Sequence, residues 1–202
     1  MRYGIFGGTF NPVHEGHLHI ARAFRKTMQL DTVLWIPTKV PPHKAAEDLA
    51  MPEQRLEMCR LACRGEEVFQ VSDLEIRREG KSYTADTLEE LHEMYPKATF
   101  CLLMGEDMFL TLLNWYKPDT ILRLAEICAV PRSVGHEARL EEQAHVLREK
   151  GATVFLEQIP YLPLSSTEIR EAVREGRSIR GKVPPLVEEY IRSRGLYAKG
   201  GN

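Results

Sequence analysis

His14 and His17 stand three residues apart at the end of Gly7-Gly8-Thr9-Phe10-Asn11-Pro12-Val13-His14-Glu15-Gly16-His17. An imidazole offers one N–H donor when neutral and two when protonated. The flanking residues say what those donors serve. Tyr3 to Phe6 is a short apolar run that reads as a buried strand, and Leu18 to Met28 is an amphipathic stretch that reads as a helix. A strand, a glycine-bearing loop and a helix start together form an anion site. Backbone N–H groups point outward there, and the helix dipole favours negative charge. Gly8 and Gly16 let a backbone or a ligand approach closely, and Thr9 adds a hydroxyl donor. The stretch reads as a clamp for the phosphates of a nucleotide.

Neighbouring patterns are excluded on their spacing. The first loop is not GxGxxG, and the second strand ends in Pro37 rather than in an acid that would hold a ribose, which disfavours a dinucleotide dehydrogenase. Gly80-Lys81-Ser82 imitates the end of a Walker A loop, but Glu75 stands where its first glycine belongs. The two histidines are not spaced as in HExxH, so the sequence predicts no protein-bound zinc.

The elements that must position the loop follow in order. Strands are expected at Thr32–Ile36, Val68–Val71, Phe100–Met104, Ile127–Val130 and Thr153–Leu156. Helices are expected from Pro52 to about Arg64, over Thr84–Tyr95, after Gly105 as far as Asn114-Trp115, and over Leu140–Lys150. In the first helix Ile20, Phe24 and Met28, with Ala21, form the buried stripe. Asp73 to Ser82 reads as a loop or a short edge strand. The alternation predicts an α/β, Rossmann-like doubly wound parallel sheet over residues 1–160, with a small C-terminal helical subdomain over residues 161–202. Three segments should meet at the carboxyl edge of that sheet: Gly7–His17, Thr38–Lys44 and Gly105–Asp107.

Bulk properties add little. The 202 residues are 43% hydrophobic and 28% charged with a net charge of −2, so phosphate binding must rest on local charges rather than on an overall field. Cys59, Cys63, Cys101 and Cys128 form no CxxC pair and read as small apolar groups in a reducing compartment. With no signal-peptide pattern and no apolar run long enough to span a bilayer, the expectation is a cytoplasmic chain that binds neither membrane nor nucleic acid. A homodimer is compatible with it.

At this point the motifs carry a resemblance. Gly7–His17 resembles the (H/T)xGH signature of the nucleotidyltransferase superfamily, and Ser165-Ser166-Thr167-Glu168-Ile169-Arg170 resembles its second signature, SSTxIR. Finer features are similar to the bacterial nicotinate mononucleotide adenylyltransferases: GGTFNPxHxGH at Gly7–His17, PPHK at Pro41–Lys44, SYTxDTL at Ser82–Leu88 and GxDxxxxLxxW at Gly105–Trp115. Val130-Pro131-Arg132-Ser133-Val134-Gly135 and Arg180-Gly181-Lys182-Val183-Pro184 depart from the family pattern.

The resemblance implies adenylyl transfer from ATP to nicotinate mononucleotide, with Mg²⁺ accompanying the triphosphate. His14, His17, Lys44 and Arg170 are then the catalytic set, neutralising and positioning phosphates. Gly7, Gly8, Thr9, Phe10, Gly105, Asp107, Ser166 and Thr167 are expected to hold ATP. Asn11, Thr84, Trp115 and Tyr116 are expected on the pyridine nucleotide, and Arg132 is left out of the site. Arg55, Arg77 and Arg78 read as surface charges. Three alternatives stay open. One is the amidated pyridine nucleotide as acceptor, one is phosphopantetheine, and one, of a different class, is a non-catalytic ATP sensor.

Overall fold

The computed structural model describes residues 1–40, 49–131, 135–160 and 162–199. The chain starts in β1 (Arg2–Gly8), passes through the histidine loop into α1 (Glu15–Thr27), and returns as β2 (Thr32–Pro37). Pro52 opens α2 (Pro52–Ala62), as a proline suits a first turn, and β3 (Phe69–Val71) follows. Next come α3 (Leu74–Arg77), α4 (Thr84–Met94), β4 (Thr99–Gly105) and α5 (Glu106–Leu110). A 3-10 turn at Leu112–Asn114 leads to α6 (Pro118–Leu124), β5 (Glu126–Val130), α7 (Glu137–Glu149) and β6 (Val154–Leu156). The tail carries α8 (Ser166–Arg174) and α9 (Pro185–Ser193).

All strand pairs are parallel, in the order β3-β2-β1-β4-β5-β6. This is the doubly wound order in which the winding reverses beside the first strand. Its crevice opens at the carboxyl ends of β1 and β4. The alternation of side chains along each strand sorts the interior into two cores. Phe6, Val33, Trp35, Leu103 and Cys128 face α1, α2, α8 and α9. Ile5, Leu34, Leu102, Met104 and Ile127 face α4, α6 and α7. The tail helices thus share a core with the sheet: Ile169, Ala172, Val187 and Ile191 pack with Phe24 and Met58. Among the described residues no helix is long and apolar enough to cross a membrane.

Three sequence expectations change. Asp73–Ser82 contains the short helix α3 rather than an edge strand. The helix α6 has no counterpart in the sequence reading; Pro118 starts it and Ile121 and Leu122 anchor it. At α1 and its C-cap, Ala21, Phe24 and Met28 are buried as expected, but Leu18 takes the place of Ile20, which lies at the margin of the core.

Candidate active site

The loop between β1 and α1 is shaped by its aromatic residue. Phe10 adopts φ 48°, a region costly for a bulky side chain. This folds its ring back over Gly8, where an added Cβ would sit 3.0 Å from the ring. The ring then packs against Phe6, Trp35 and His17 at centroid distances of 5.6, 5.3 and 5.1 Å. Gly8 is therefore a packing requirement. At Gly7 and Gly105, on the neighbouring strands β1 and β4, an added Cβ would meet nothing within 4 Å.

His14 is the residue immediately before α1, and His17 is the third residue of that helix. Their rings stack at 3.7 Å between centroids. The His14 backbone N–H donates to His17 Nδ1 at 3.2 Å. That bond requires an unprotonated Nδ1, so the neutral His17 ring carries its proton on Nε2. Gly16 makes room for the arrangement, since a Cβ there would lie 3.0 Å from His14 Nδ1. Burial holds the His14 imidazole down at about 4, against the opposing pull of Glu168. Burial, and then the neighbouring His14, push His17 well below its usual range. Both rings are neutral donors at pH 7 in the absence of ligand.

The tail closes on this loop from the far end of the chain. Ser165 caps α8, accepting the Glu168 N–H at 3.2 Å. Ser166 Oγ donates to the Pro12 carbonyl at 2.9 Å, and Arg170 donates to the Asn11 carbonyl at 3.0 Å. The Tyr197 hydroxyl donates to Asn11 Oδ1 at 2.7 Å, which also accepts the Ala50 N–H at 3.1 Å. The Asn11 carboxamide oxygen is thus occupied within the protein. Thr167 is exposed at the start of α8, with its Oγ1 3.5 Å from Arg170. Among the described residues, His14 Nδ1 and Arg170 Nε are buried without a hydrogen-bond partner, as is Trp35 Nε1 in the aromatic core. Buried polar atoms are normally paired, so two orphans at one junction point to a group supplied from outside.

The other wall is built at the exit of β2. The Thr38 N–H donates to the Gly8 carbonyl at 2.9 Å. Glu75 is buried, and burial pushes its carboxyl up against the opposing pull of hydrogen bonds from Thr87, Ser82 and Thr38. It ties the start of α4 to the exit of β2. Thr84 opens α4 half-buried, and no hydrogen bond of its hydroxyl is seen among the described residues. Trp115 is half-buried and donates to Thr111 Oγ1 at 3.3 Å. Tyr116 is exposed and stacks on Tyr83 at 4.4 Å, with Lys117 Nζ 5.1 Å from its centroid. One face of Tyr116 is therefore already covered, by a tyrosine the sequence reading passed over. Asp107 is exposed at the start of α5, beside Gly105. Next to it Glu106, also passed over, is buried and accepts from His136 Nδ1 at 2.8 Å.

The structure brings His14, His17, Arg170, Ser166 and the Gly7–Asn11 loop together, with Gly105 on the adjacent strand. Lys44 and Arg132 lie outside the described residues. The reading of three arginines as surface charges is corrected for two of them. Arg55 is wholly buried. Arg78 is partly buried, bonded to Thr87 and paired with Glu90. Only Arg77 is a surface charge, paired with Asp73. Buried arginines in charged, irregular sequence carry no signal that separates them from solvated ones, because periodicity registers apolar residues alone.

Comparisons with known proteins bear on the family and the fold. Residues 5–172 match the cytidylyltransferase-like family model. A probable nicotinate-nucleotide adenylyltransferase of Desulfitobacterium hafniense is 41% identical over 197 residues, covering 97% of this chain and 95% of that relative. One from Synechococcus is 42% identical over 200 residues, covering 97% and 94%. Among solved structures, the fold matches a Plasmodium falciparum nicotinic acid mononucleotide adenylyltransferase complexed with NaAD, with TM-score 0.78, 20% identity and 97% of each chain covered. It also matches a putative nicotinate-nucleotide adenylyltransferase from Vibrio parahaemolyticus, with TM-score 0.71, 24% identity, and 99% and 97% covered.

The His14 environment sets an acid limit on the ligand-free fold. The native state resists protonating this ring below its ordinary 6.5, so stability present above that pH is lost as pH falls towards about 4, by roughly 3 kcal/mol. Urea titrations at pH 7 and pH 4.5 should show this loss, and His14→Gln should reduce it. An identical loss in the variant would remove His14 as the cause.

Proposed function

Because the chain belongs to the cytidylyltransferase-like family, and within it to the nicotinate-nucleotide adenylyltransferases, we propose that it transfers the adenylyl group of ATP to nicotinate mononucleotide. Nicotinate adenine dinucleotide and pyrophosphate are the products, and the reaction is a step of NAD biosynthesis. A phosphate oxygen of the mononucleotide bonds to the α-phosphorus. The bond from that phosphorus to the bridging oxygen breaks, and its electron pair leaves with pyrophosphate. The nucleophile has a second pKa of about 6, so it is already largely dianionic at neutral pH and needs no general base. The protein's task is to bring two anions together in line and to stabilise the charge that develops.

One observation carries this reading. Arg170 and the stacked pair His14–His17, from opposite ends of the chain, converge on one glycine loop and leave buried nitrogens unpartnered. His17 Nε2–H and the His14 ring would donate to phosphate oxygens as neutral groups. Their pKa values would rise as the triphosphate arrives, because a nearby anion favours the charged ring. Arg170 would fork onto the departing phosphates. The open positions over Gly7 and Gly105 support a nucleotide lying across β1 and β4, where neither crowding nor a positive φ accounts for glycine. Asp107 would accept from the ribose. Thr84, Trp115 and Tyr116 would face the pyridine nucleotide, and Lys44 would join the phosphates.

The donor set suits an anion rather than a bare cation. It consists of imidazoles, a guanidinium, hydroxyls and N–H groups, and among the described residues no cluster of His, Cys, Asp and Glu could hold a metal. Mg²⁺ would arrive on the triphosphate and share its charge, held mainly by phosphate oxygens and water.

Pyrophosphate release should require both ATP and nicotinate mononucleotide, depend on a divalent cation, and be slower with the amidated mononucleotide. Release that ignores the mononucleotide would refute the reading, and a preference for the amide would reassign the acceptor. His17→Ala should lower kcat on the order of 10² or more, as loss of a preorganised transition-state donor does. Gly16→Ala should leave the protein folded with a melting temperature unchanged or modestly lowered, since the helical preference of alanine is set against crowding of the buried His14 ring. It should still lower kcat on the order of tenfold by displacing the His14 ring.

A further inference from the structure

Arg55 lies beneath the site assigned above and touches it only through the backbone of Thr9. The side chain is 0% exposed on the first turn of α2. Its NH1 donates to the carbonyls of Thr9 at 2.8 Å and Thr38 at 2.6 Å. Its NH2 donates to the Lys39 carbonyl at 3.1 Å, and its Nε to the Ala50 carbonyl at 3.0 Å. Among the described residues no carboxylate pairs with it. Glu53 adds a Coulombic attraction but no ion pair, and a buried charge held by hydrogen bonds to carbonyls is a poor device for stability, because desolvation costs several kcal/mol that carbonyls only partly offset.

The Thr9 contact links this arrangement to the chemistry. In a trans peptide the C=O and the following N–H point in opposite directions. Arg55 draws the Thr9 oxygen inward, so the Phe10 N–H is turned away from the guanidinium. The left-handed Phe10 backbone belongs to the class of turn whose successive N–H groups form an anion-binding concavity. No acceptor for the Phe10 N–H is found among the described residues. Left to itself, the Thr9–Phe10 peptide could turn its oxygen outward and present a negative dipole to a phosphate.

We propose that Arg55 is a positioning residue for adenylyl transfer: by holding the Thr9 carbonyl inward it aims the Phe10 N–H at a substrate phosphate. Through Thr38 and Lys39 it holds the exit of β2 at the same time. The proposal rests on the reading that phosphates occupy this loop.

Arg55→Lys tests it, since lysine keeps the charge but loses the planar fork that reaches three segments at once. The variant should melt cooperatively and bind adenosine as the wild type does. Its kcat/KM for ATP should fall on the order of 10²-fold, in line with the cost of small misplacements at a reacting centre. A cooperative melt with unchanged kcat/KM for ATP would overturn the proposal, as would equal losses for adenosine and ATP. The wild-type protein supplies a second arm that does not depend on the variant folding. On titration with inorganic pyrophosphate, the backbone amide resonance of Phe10 should shift together with the His17 ring resonances. A His17 response without a Phe10 response overturns the proposal and spares the phosphate reading. Silence at both positions overturns the two together.

Discussion

A loop that receives phosphates must hide its own carbonyl oxygens. Each outward C=O would set a negative dipole against an anion, whereas each outward N–H attracts it. Between Thr9 and Pro12 this chain meets the constraint with side chains from elsewhere. Arg55 takes the Thr9 carbonyl, Arg170 takes the Asn11 carbonyl and Ser166 takes the Pro12 carbonyl. Tyr197 reaches back from the end of the chain to the Asn11 side chain. The C-terminal helices are therefore structural parts of the first loop. The second signature serves two ends, since Ser166 and Arg170 fasten the loop while the start of α8 faces the same junction.

The histidine pair shows a similar economy. Stacked at 3.7 Å and buried, the two rings cannot both be charged. The native state keeps them neutral and makes their donors directional: the His14 backbone N–H assigns the His17 proton to Nε2. Positive charge at the junction comes from guanidinium, which burial does not neutralise. A polyanion entering the site meets fixed donors that need little reorganisation, which is where electrostatic preorganisation gains its effect. The glycine between the histidines follows from the same geometry, because a side chain there would collide with the His14 ring.

Much of this was legible from residue types. The strand–loop–helix reading, the parallel sheet and the meeting of the first and fourth strands at one edge follow from apolar runs bounded by Gly and Pro. The two signatures at Gly7–His17 and Ser165–Arg170 pointed to one phosphate site. What escaped detection was polar burial. Arg55, Glu75 and Glu106 sit in charged stretches, and their partners are backbone carbonyls or residues remote in sequence. Tyr83 was hidden by its neighbour Thr84, and α6 by a stretch too short to show a period.

The sequence by itself determined the local chemistry: which loop has the form of an anion site, which residues carry donors there, and which segments alternate as strand and helix. These depend on steric preference, helix dipoles and hydrophobic period, all of which act within a few residues. Only the tertiary structure decided which way each donor and carbonyl faces, which arginine is buried, and that the last turn of the chain grips the first loop. Those outcomes depend on contacts between segments up to 186 residues apart, and on the rule that a buried polar group takes whatever partner the packed fold brings within reach.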